Sequence, residues 1–293
     1  MPYGAFAYLD ALGLTHNLCG DDWSAYIQSL QSTNQEFRDI LQDHYSDYGR
    51  DKLSYVATDS FLLADVFIAT GSVAYYPDHN NVQEEVLLGR AHQGMIVNRD
   101  LVRVNRIGRY IARLIRIASI ERKRNQQVIL PLRGVINLGH GYVEAPYWAG
   151  IGPIRAIKTE NEVKGALVIL TREATADVDA ALEMFRLCGD YDWSDDLDST
   201  GVPRYFVKLT SPLSSSDKSG ESRYVLNPFV GQTRHEAEEL RNCILESMES
   251  GLFRLRQVDQ SDSIRKSILA KISHTRKMFQ QLLEHTYSRQ QHQ

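Results

Sequence analysis

The order along the chain of apolar segments with strand-like and helix-like spacing is the strongest constraint on the fold of this 293-residue chain. Residues 3–9 form a short, aromatic-rich apolar run that predicts a buried strand ending at Asp10. Residues 22–43 then carry apolar side chains at helical spacing, which predicts an amphipathic helix. Residues 52–57 and 60–67 follow as two predicted strands, separated by the length of a tight hairpin turn.

The rest of this pattern continues the alternation of helices and strands. We predict a helix over residues 102–124, a strand over 128–138, a short helix within 150–163, a strand over 166–171 and a helix over 174–187. The resulting order is strand, helix, hairpin, helix, strand, helix, strand. It predicts an α+β fold of the ferredoxin-like kind, an antiparallel sheet with helices on one face.

The remaining segments predict surface insertions and a C-terminal helical appendage. The polar segments within residues 189–222 have the composition of insertions, and residues 204–209 between them predict an edge strand. From residue 231 onward, apolar side chains recur at helical spacing almost to the end of the chain. We therefore predict a domain of residues 1–230 and a helical extension of residues 231–293, which either packs on the domain or mediates dimerisation.

Charge and cysteine usage argue against several classes of protein. The net charge of −4 gives no global basic field for nucleic acid, and we interpret the basic segment 103–124 as a solvated helix face rather than a nucleic-acid surface. No apolar stretch approaches the roughly 20 residues of a membrane span, and the N-terminus lacks the basic region of a signal peptide. The 3 cysteines are far apart, which predicts ordinary thiols in a reducing cytoplasm.

Two carboxylates are associated with the predicted strands. Asp10 ends the first strand, and Asp59 lies in the hairpin turn. In a ferredoxin-like sheet the first strand lies beside the hairpin, so these two acids can converge. A divalent cation between them removes their repulsion, as in two-metal phosphoryl transfer. Each acid alone is better explained as a cap or turn residue, so the pair carries the prediction of a metal site.

Several motifs resemble those of class III adenylyl and guanylyl cyclases. FAYLDALGLT (residues 6–15) resembles their first metal-binding strand, and YVATDSFLLA (55–64) resembles their second metal-binding hairpin. LRGVINLG (132–139) is similar to a strand in which they carry an arginine, and GPIRAIKTENE (152–162) to the helix after their dimer arm. The resemblance spans residues 1–175 and is strongest to the stand-alone pyrimidine cyclases of bacterial Pycsar anti-phage defence.

The resemblance implies a set of site residues. Asp10 and Asp59 would bind two Mg²⁺ or Mn²⁺ ions. Arg133 would contact the phosphates, for which its planar fork is suited, although an ordinary surface salt bridge is the alternative. Backbone amides after the first strand would face the triphosphate. The residues implied there are Ala11, Leu12, Gly13 and Leu14.

Position 55 bears on the choice of base. Adenylyl cyclases carry a lysine four residues before the second metal-binding aspartate, where it contacts adenine. Here that position, 59 − 4 = 55, is Tyr55. A phenol can form a hydrogen bond or stack on a base, but it lacks the charge of lysine. Within the resembled family, tyrosine here implies uridylate cyclisation; simple packing of Tyr55 in its strand is the alternative.

One motif departs from the pattern of the family. Purine cyclases carry an asparagine and an arginine four residues apart on the helix after the dimer arm. Ile154 and Lys158 occupy these positions here, with Arg155 as a nearby substitute. Either catalysis depends more on the metals and Arg133, with Lys158 replacing the arginine, or the chain is weakened as a catalyst.

The function implied by the resemblance is that of a phosphorus–oxygen lyase. It would convert UTP to 3′,5′-cyclic UMP and pyrophosphate. The cyclic UMP would be a second messenger that a separate effector protein reads in anti-phage defence. The resemblance also implies a homodimer with shared active sites. The alternatives are CTP or a purine triphosphate as substrate, or an inactive cyclase-like domain that binds nucleotide or a partner. No role is assigned to His16, Asn137 or His140, which we interpret as solvated or satisfied in the core.

Overall fold

A mixed sheet with helices on both of its faces forms the framework of the protein. The computed structural model describes residues 3–12, 23–44, 51–57, 60–67, 90–144, 147–188, 202–210, 213–214, 220–257 and 262–290. The strands are β1 (Tyr3–Ala11), β2 (Asp51–Ala57), β3 (Ser60–Phe67), β4 (Leu132–His140), β5 (Tyr142–Glu144), β6 (Tyr147–Ala149), β7 (Val168–Leu170), β8 (Phe206–Thr210) and β9 (Ser222–Leu226). The helices are α1 (Trp23–His44), α2 (Arg90–Arg116), α3 (Ile151–Glu160), α4 (Arg172–Cys188), α5 (Arg234–Gln257) and α6 (Asp262–Gln290).

The strand order confirms the predicted ferredoxin-like arrangement. The main sheet has 7 strands in the order β2-β3-β1-β4-β7-β9-β8, and β5 pairs with β6 in a separate hairpin. The first four strands, joined as β1–α1–β2–β3–α2–β4, pair antiparallel throughout. The β4–β7 pair is parallel, unlike the antiparallel sheet that we predicted. A parallel neighbour requires a crossover connection, and α3 lies within the segment that provides it.

The side chains of β1 alternate between the two faces of the sheet. Ala5, Ala7 and Leu9 belong to the main hydrophobic core, which also contains Phe37 of α1 and Ile107 of α2. Side chains two residues apart on a strand share a face, so α1 and α2 cover this side of β1. This is the layered arrangement that the sequence pattern predicts.

Helix α3 covers the other face of β1. A Cβ atom at Gly152 would collide with the ring of Phe6, so glycine permits this close approach. Phe6 is fully buried and lies on the face of β1 opposite to Ala5 and Ala7. The sheet therefore carries a helix on each side of its central strands, whereas the sequence pattern predicted helices on one face. The face under α3 is the one that bears Asp10.

The C-terminal helices bury their apolar stripes in the main core. Leu240 and Ile244 of α5, and Met278 and Leu282 of α6, are at most 1% exposed and belong to the core cluster that contains β1. These are positions at which the helical spacing of the sequence predicted an apolar face. Among the described residues, no helix is both long enough and apolar enough to cross a membrane.

Candidate functional site

The pairing of β1 with β4 sets Asp10 directly opposite Arg133. Directly opposed residues of an antiparallel pair point to the same face of a sheet, so the two side chains meet. Arg133 Nη2 lies 3.4 Å from Asp10 Oδ2. The Arg133 side chain is 13% exposed and that of Asp10 is 25% exposed, so water reaches the pair only partly. The sequence analysis named both residues, and the structure brings them together.

Helix α3 adds a second carboxylate that the sequence analysis missed. Glu160, the last residue of α3, is buried at 3% exposure and forms an ion pair with Arg133. Arg133 Nη2 also donates to Asn161 Oδ1 at 3.3 Å. Glu160 follows the buried Ala156 by four residues, so both lie on the face of α3 that packs on the sheet. An acid on the apolar face of a short helix is the sequence signal that could have found it.

Burial sets the protonation behaviour of Glu160. Loss of solvation raises the pKa of Glu160 to about 6, and the negative charge of Asp10 adds to this, while Arg133 opposes it. Arg133 Nε and Glu160 Oε1 form a close ion pair, and neither atom has a further hydrogen-bond partner among the described residues.

Helix α6 brings a second cation close to these carboxylates. Burial lowers the pKa of Lys271, with the positive charge of Arg133 as the next cause, while Glu160 and Asp10 oppose the shift. Lys271 in turn lowers the pKa of Glu160. We refer to Asp10, Arg133, Glu160 and Lys271 as the central cluster. No sequence signal indicated Lys271, because it lies 138 residues beyond Arg133 on a separate helix (271 − 133 = 138).

The second predicted metal ligand, Asp59, lies outside the described residues, as do Gly13 and Leu14. Ser60, which follows Asp59 in sequence, pairs with Asp10 on the neighbouring strand. The backbone of Tyr55 pairs with Leu63 within the β2–β3 hairpin, as the predicted strands require.

A backbone hydrogen bond holds the end of β1. The backbone amide of Leu12 donates to Pro131 O at 2.7 Å, and Ala11 is buried at 1% exposure. The phosphate contacts of the Ala11 and Leu12 amides stay a prediction.

Helix α3 directs the two residues that depart from the family pattern away from the sheet. Ile154 is 38% exposed, and Lys158 four residues later is also exposed. Glu160 and Ala156 occupy the opposite, buried face of the same helix. Lys158 has no ion pair with any described residue, and Arg155 is partly exposed. Neither cation joins the central cluster of its own chain.

Asn137 is satisfied in the core, as predicted, and it fixes the position of α3. It donates from Nδ2 to Gly152 O at 3.3 Å and accepts from Thr171 Oγ1 at 2.6 Å. These bonds connect β4 to the first turn of α3 and to the start of α4. His140 is exposed and stacks edge-on against Tyr3.

The basic stripe of α2 is only partly a solvated face. Arg103 and Arg122 are buried at 3% and 0% exposure. Arg122 forms an ion pair with Glu36 of α1 and donates to Gln127 Oε1 at 2.7 Å. These two arginines connect elements of the core and are withdrawn from any nucleic-acid surface. Further pairs on the stripe are Arg116 with Glu236, Lys123 with Glu246 and Arg124 with Glu121.

The donor set of the central cluster fits a divalent cation of the Mg²⁺ type. Within the described ranges, no group of three or more histidine, cysteine or acidic side chains could hold a metal ion. Mg²⁺ needs no such group, since it is commonly held by one or two carboxylates together with waters and substrate phosphates. Asp10, a partly exposed carboxylate near the end of a central strand, is of the type that could hold such an ion.

Comparison with known proteins finds similar solved structures but no sequence family. Guanylyl cyclase Cya2 is 12% identical with a TM-score of 0.38, over 77% of this chain and 93% of that chain. The dimeric guanylyl cyclase domain of the RhoGC fusion protein from the aquatic fungus Blastocladiella emersonii is 13% identical with a TM-score of 0.39, over 77% and 96%. The guanylate cyclase domain of RhGC from Catenaria anguillulae, in complex with GTP, is 13% identical with a TM-score of 0.38, over 77% and 96%. No family model and no curated protein matches the sequence.

Proposed function

We propose that this chain is a class III nucleotidyl cyclase that converts UTP to 3′,5′-cyclic UMP and pyrophosphate. The single observation that carries this proposal is the pairing of Asp10 with Arg133 across β1 and β4, at 3.4 Å. A carboxylate for metals and a guanidinium for phosphates are then adjacent on one face of the sheet. Both belong to sequence motifs that resemble those of the class III cyclases.

The proposed metal ligands are Asp10 and Asp59. The register that pairs Asp10 with Ser60 supports their joint action, because Ser60 is the next residue after Asp59. Two Mg²⁺ or Mn²⁺ ions, when bound, supply charge neutralisation of the triphosphate and a lower pKa for the attacking hydroxyl.

The reaction joins the ribose 3′-oxygen to the α-phosphorus and breaks the bond to the β-phosphate oxygen. The hydroxyl proton passes to water, and pyrophosphate leaves with the oxygen that had bridged the α- and β-phosphates. Arg133 stabilises negative charge that develops on the phosphate oxygens, for which a preorganised guanidinium is effective in a partly desolvated site. Its contacts with Asp10 and Asn161 orient the guanidinium before substrate binds. Nucleophile and electrophile belong to one molecule, so positioning is the main task of the protein.

The proposed preference for UTP rests on Tyr55. The residue lies on β2, four positions before Asp59, where a lysine would favour adenine. Tyrosine supplies a hydrogen-bonding hydroxyl and a flat ring without charge. Cyclisation of CTP or of a purine triphosphate is the second candidate within this class.

The proposed assembly is a homodimer in which each protomer completes the site of the other. The exposed face of α3 and the neighbouring β6 support this, because large apolar side chains are exposed there. Trp148, Ile151 and Ile154 are 44%, 49% and 38% exposed. Lys158 lies on this same face, away from Asp10 of its own chain, as a residue offered to a partner protomer would. We propose that it compensates there for the missing arginine, and that the product signals to a separate effector in anti-phage defence.

The experiment that tests the proposal is incubation with each of the four ribonucleoside triphosphates and Mn²⁺, with chromatographic separation of the products. Cyclic UMP as the main product, abolished by Asp59→Ala, is the expected result. Cyclic product from another triphosphate instead would retain the cyclase and reject the role of Tyr55. No cyclic product from any of the four, with folded and dimeric protein, would favour an inactive nucleotide-binding domain.

A further inference from the structure

The C-terminal helix α6 is seated directly on the chain that leads into β7. Gly165 has a φ of +76°, and a Cβ atom there would collide with Thr275 Oγ1 and lie 3.0 Å from Lys271 O. Any other residue would therefore strain the backbone and push α6 away. The contact fixes the turn of α6 that contains Lys271 at a defined place beside the sheet.

Thr275 connects this turn of α6 to the central strands. Its side chain is fully buried; Oγ1 accepts from the amide of Ala166 at 3.0 Å and donates to Lys271 O at 2.9 Å. Leu167 follows Ala166 in sequence, and its carbonyl oxygen accepts from the amide of Gly134 at 2.8 Å. Gly134 directly follows Arg133 on β4. Three hydrogen bonds and the peptide link between Ala166 and Leu167 therefore connect the backbone of Lys271 to the strand that carries Arg133.

Lys271 precedes the buried Thr275 by four residues on α6, so its side chain projects from the helix face that packs beside the sheet. This side chain is partly buried, and the charges of Arg133, Glu160 and Asp10 influence the pKa of its ammonium group. Within the described ranges, no carboxylate forms an ion pair with Lys271, although two acids are close enough to influence it. An ammonium has three donors and is strongly hydrated, so this position leaves it able to bind a ligand anion.

The two cations of the central cluster are better suited to binding a polyanionic ligand than to forming another ion pair within the protein. The charges of Asp10 and Glu160 are balanced by those of Arg133 and Lys271 when all four groups are ionised, so divalent cations bound at Asp10 would leave an excess of positive charge. A nucleoside triphosphate carries several negative charges along its phosphate chain, and two cations from different elements can contact different phosphates.

We propose that Lys271 of α6 binds the polyphosphate of the nucleotide, and that the C-terminal helix is thereby part of the active site. This rests on the proposed function, which it deepens by assigning a substrate-binding residue beyond the resembled motifs. Lys271 acts from the same chain as Asp10 and Arg133, whereas Lys158 faces away from them.

The test is isothermal titration calorimetry of the full chain with inorganic tripolyphosphate in the presence of Mg²⁺. Lys271→Ala is expected to weaken binding by about tenfold or more, because a charge-assisted contact is lost. Lys271→Arg is expected to retain most of the affinity. Lys277→Ala is the matched control, since Lys277 is an exposed lysine of the same helix that lines the groove between α5 and α6. Equal affinity of the wild type and Lys271→Ala, equal losses in Lys271→Ala and Lys277→Ala, or no binding by the wild type would each overturn the proposal.

Two further measurements separate this inference from the proposed function. Cyclic nucleotide formation is measured on the same preparations. Tripolyphosphate binding that depends on Lys271, in a protein that cyclises no nucleotide, would reject the cyclase and retain the anion site. An active cyclase whose KM and tripolyphosphate affinity are unchanged in Lys271→Ala would retain the proposed function and reject the anion site at Lys271. Lys271→Met keeps most of the apolar stem, so it replaces Lys271→Ala should thermal unfolding show that the alanine variant is destabilised.

Discussion

Two charged clusters on the same seven-stranded sheet contain similar side chains in different surroundings. The edge cluster consists of Asp179 on α4, Lys208 on β8 and Tyr224 on β9. Lys208 Nζ lies 2.7 Å from both carboxylate oxygens of Asp179, and the Tyr224 hydroxyl donates to Asp179 Oδ1 at 3.0 Å. The side chains of Lys208 and Asp179 are 42% and 41% exposed. Short bonds and access to water satisfy this cluster completely.

The central cluster is less accessible to water. Arg133 forms an ion pair with the buried Glu160 and lies 3.4 Å from Asp10, and the side chains of Arg133 and Asp10 are more buried than those of the edge pair. Burial also raises the pKa of Glu160 and lowers that of Lys271, which shows that the charged forms are held at a cost. The comparison shows that the chemical types of the residues do not identify a site. The burial of several charged groups beside a partly exposed carboxylate does, because groups with a perturbed pKa cluster at functional sites.

The largest expected difference between the clusters is in catalysis. Asp10→Asn should lower cyclic nucleotide formation on the order of 1,000-fold, since loss of a metal-binding carboxylate removes several kcal/mol of transition-state stabilisation. Asp179→Asn in the edge cluster should leave the rate within about twofold, as expected for a surface substitution. Steady-state rates with Mn²⁺ measure both variants. Equal losses would mean that the central acid acts only through stability.

Arg133 of the central cluster and Arg172, which belongs to neither cluster, should respond differently to substitution by lysine. Arg133→Lys should lower the rate on the order of 100-fold, because one ammonium cannot replace a fork that reaches Asp10 and Asn161 together. Arg172 on α4 donates to both oxygens of Glu221, at 2.6 and 3.0 Å, far along the sheet. Arg172→Lys should retain nearly full activity. A small effect at Arg133 would show that the phosphates are bound elsewhere.

Glu160 should give the central cluster a pH-dependent stability. Its pKa is raised from 4.5 to about 6, so the folded protein takes up a proton at higher pH than the unfolded chain. Glu160 therefore favours folding most below pH 4.5, and this contribution is lost as the pH rises to 6. A shift of 6 − 4.5 = 1.5 corresponds to about 2 kcal/mol. Urea unfolding of the wild type and Glu160→Gln from pH 4 to 7 measures it. Parallel curves for the two proteins would contradict the raised pKa.

The smallest expected effect lies in the edge cluster itself. A double-mutant cycle of Lys208→Ala and Asp179→Ala should give a coupling free energy below about 1 kcal/mol, because exposed ion pairs are screened by water and salt. Denaturant unfolding of the four proteins supplies the cycle. A coupling free energy of several kcal/mol would show that the exposed ion pair of the edge cluster stabilises the fold strongly, against the difference proposed between the two clusters.

Much of the fold could be predicted from local pattern. The apolar run at residues 3–9, the helical spacing in residues 22–43 and the hairpin at residues 52–67 predicted β1, α1, β2 and β3 within one or two residues. The short strand β9 was missed, since it follows a polar insertion without a periodic signal of its own. The π-helical segment Ile117–Glu121 at the end of α2 was also not predicted, because its apolar residues fit an ordinary helix.

The candidate site could be predicted only in part. Asp10 and Arg133 were recognised because strand ends and motif spacing are local features of the sequence. Glu160 and Lys271 were not, because each depends on how a helix packs against the sheet. The assignment of Asp59 and Tyr55 to metal and base stays a prediction.

By itself, the sequence determined the alternation of strands and helices and the face of β1 on which Asp10 lies. Both follow from local spacing, because side chains on one face recur every 2.0 residues in a strand and every 3.6 residues in a helix. The tertiary structure decided that Asp10 faces Arg133, since a register shift of one residue would move either side chain to the other face. It also decided that α3 and α6 bring Glu160 and Lys271 to the same place. Contacts between residues over a hundred positions apart are selected by packing of the whole core, and no local period encodes them.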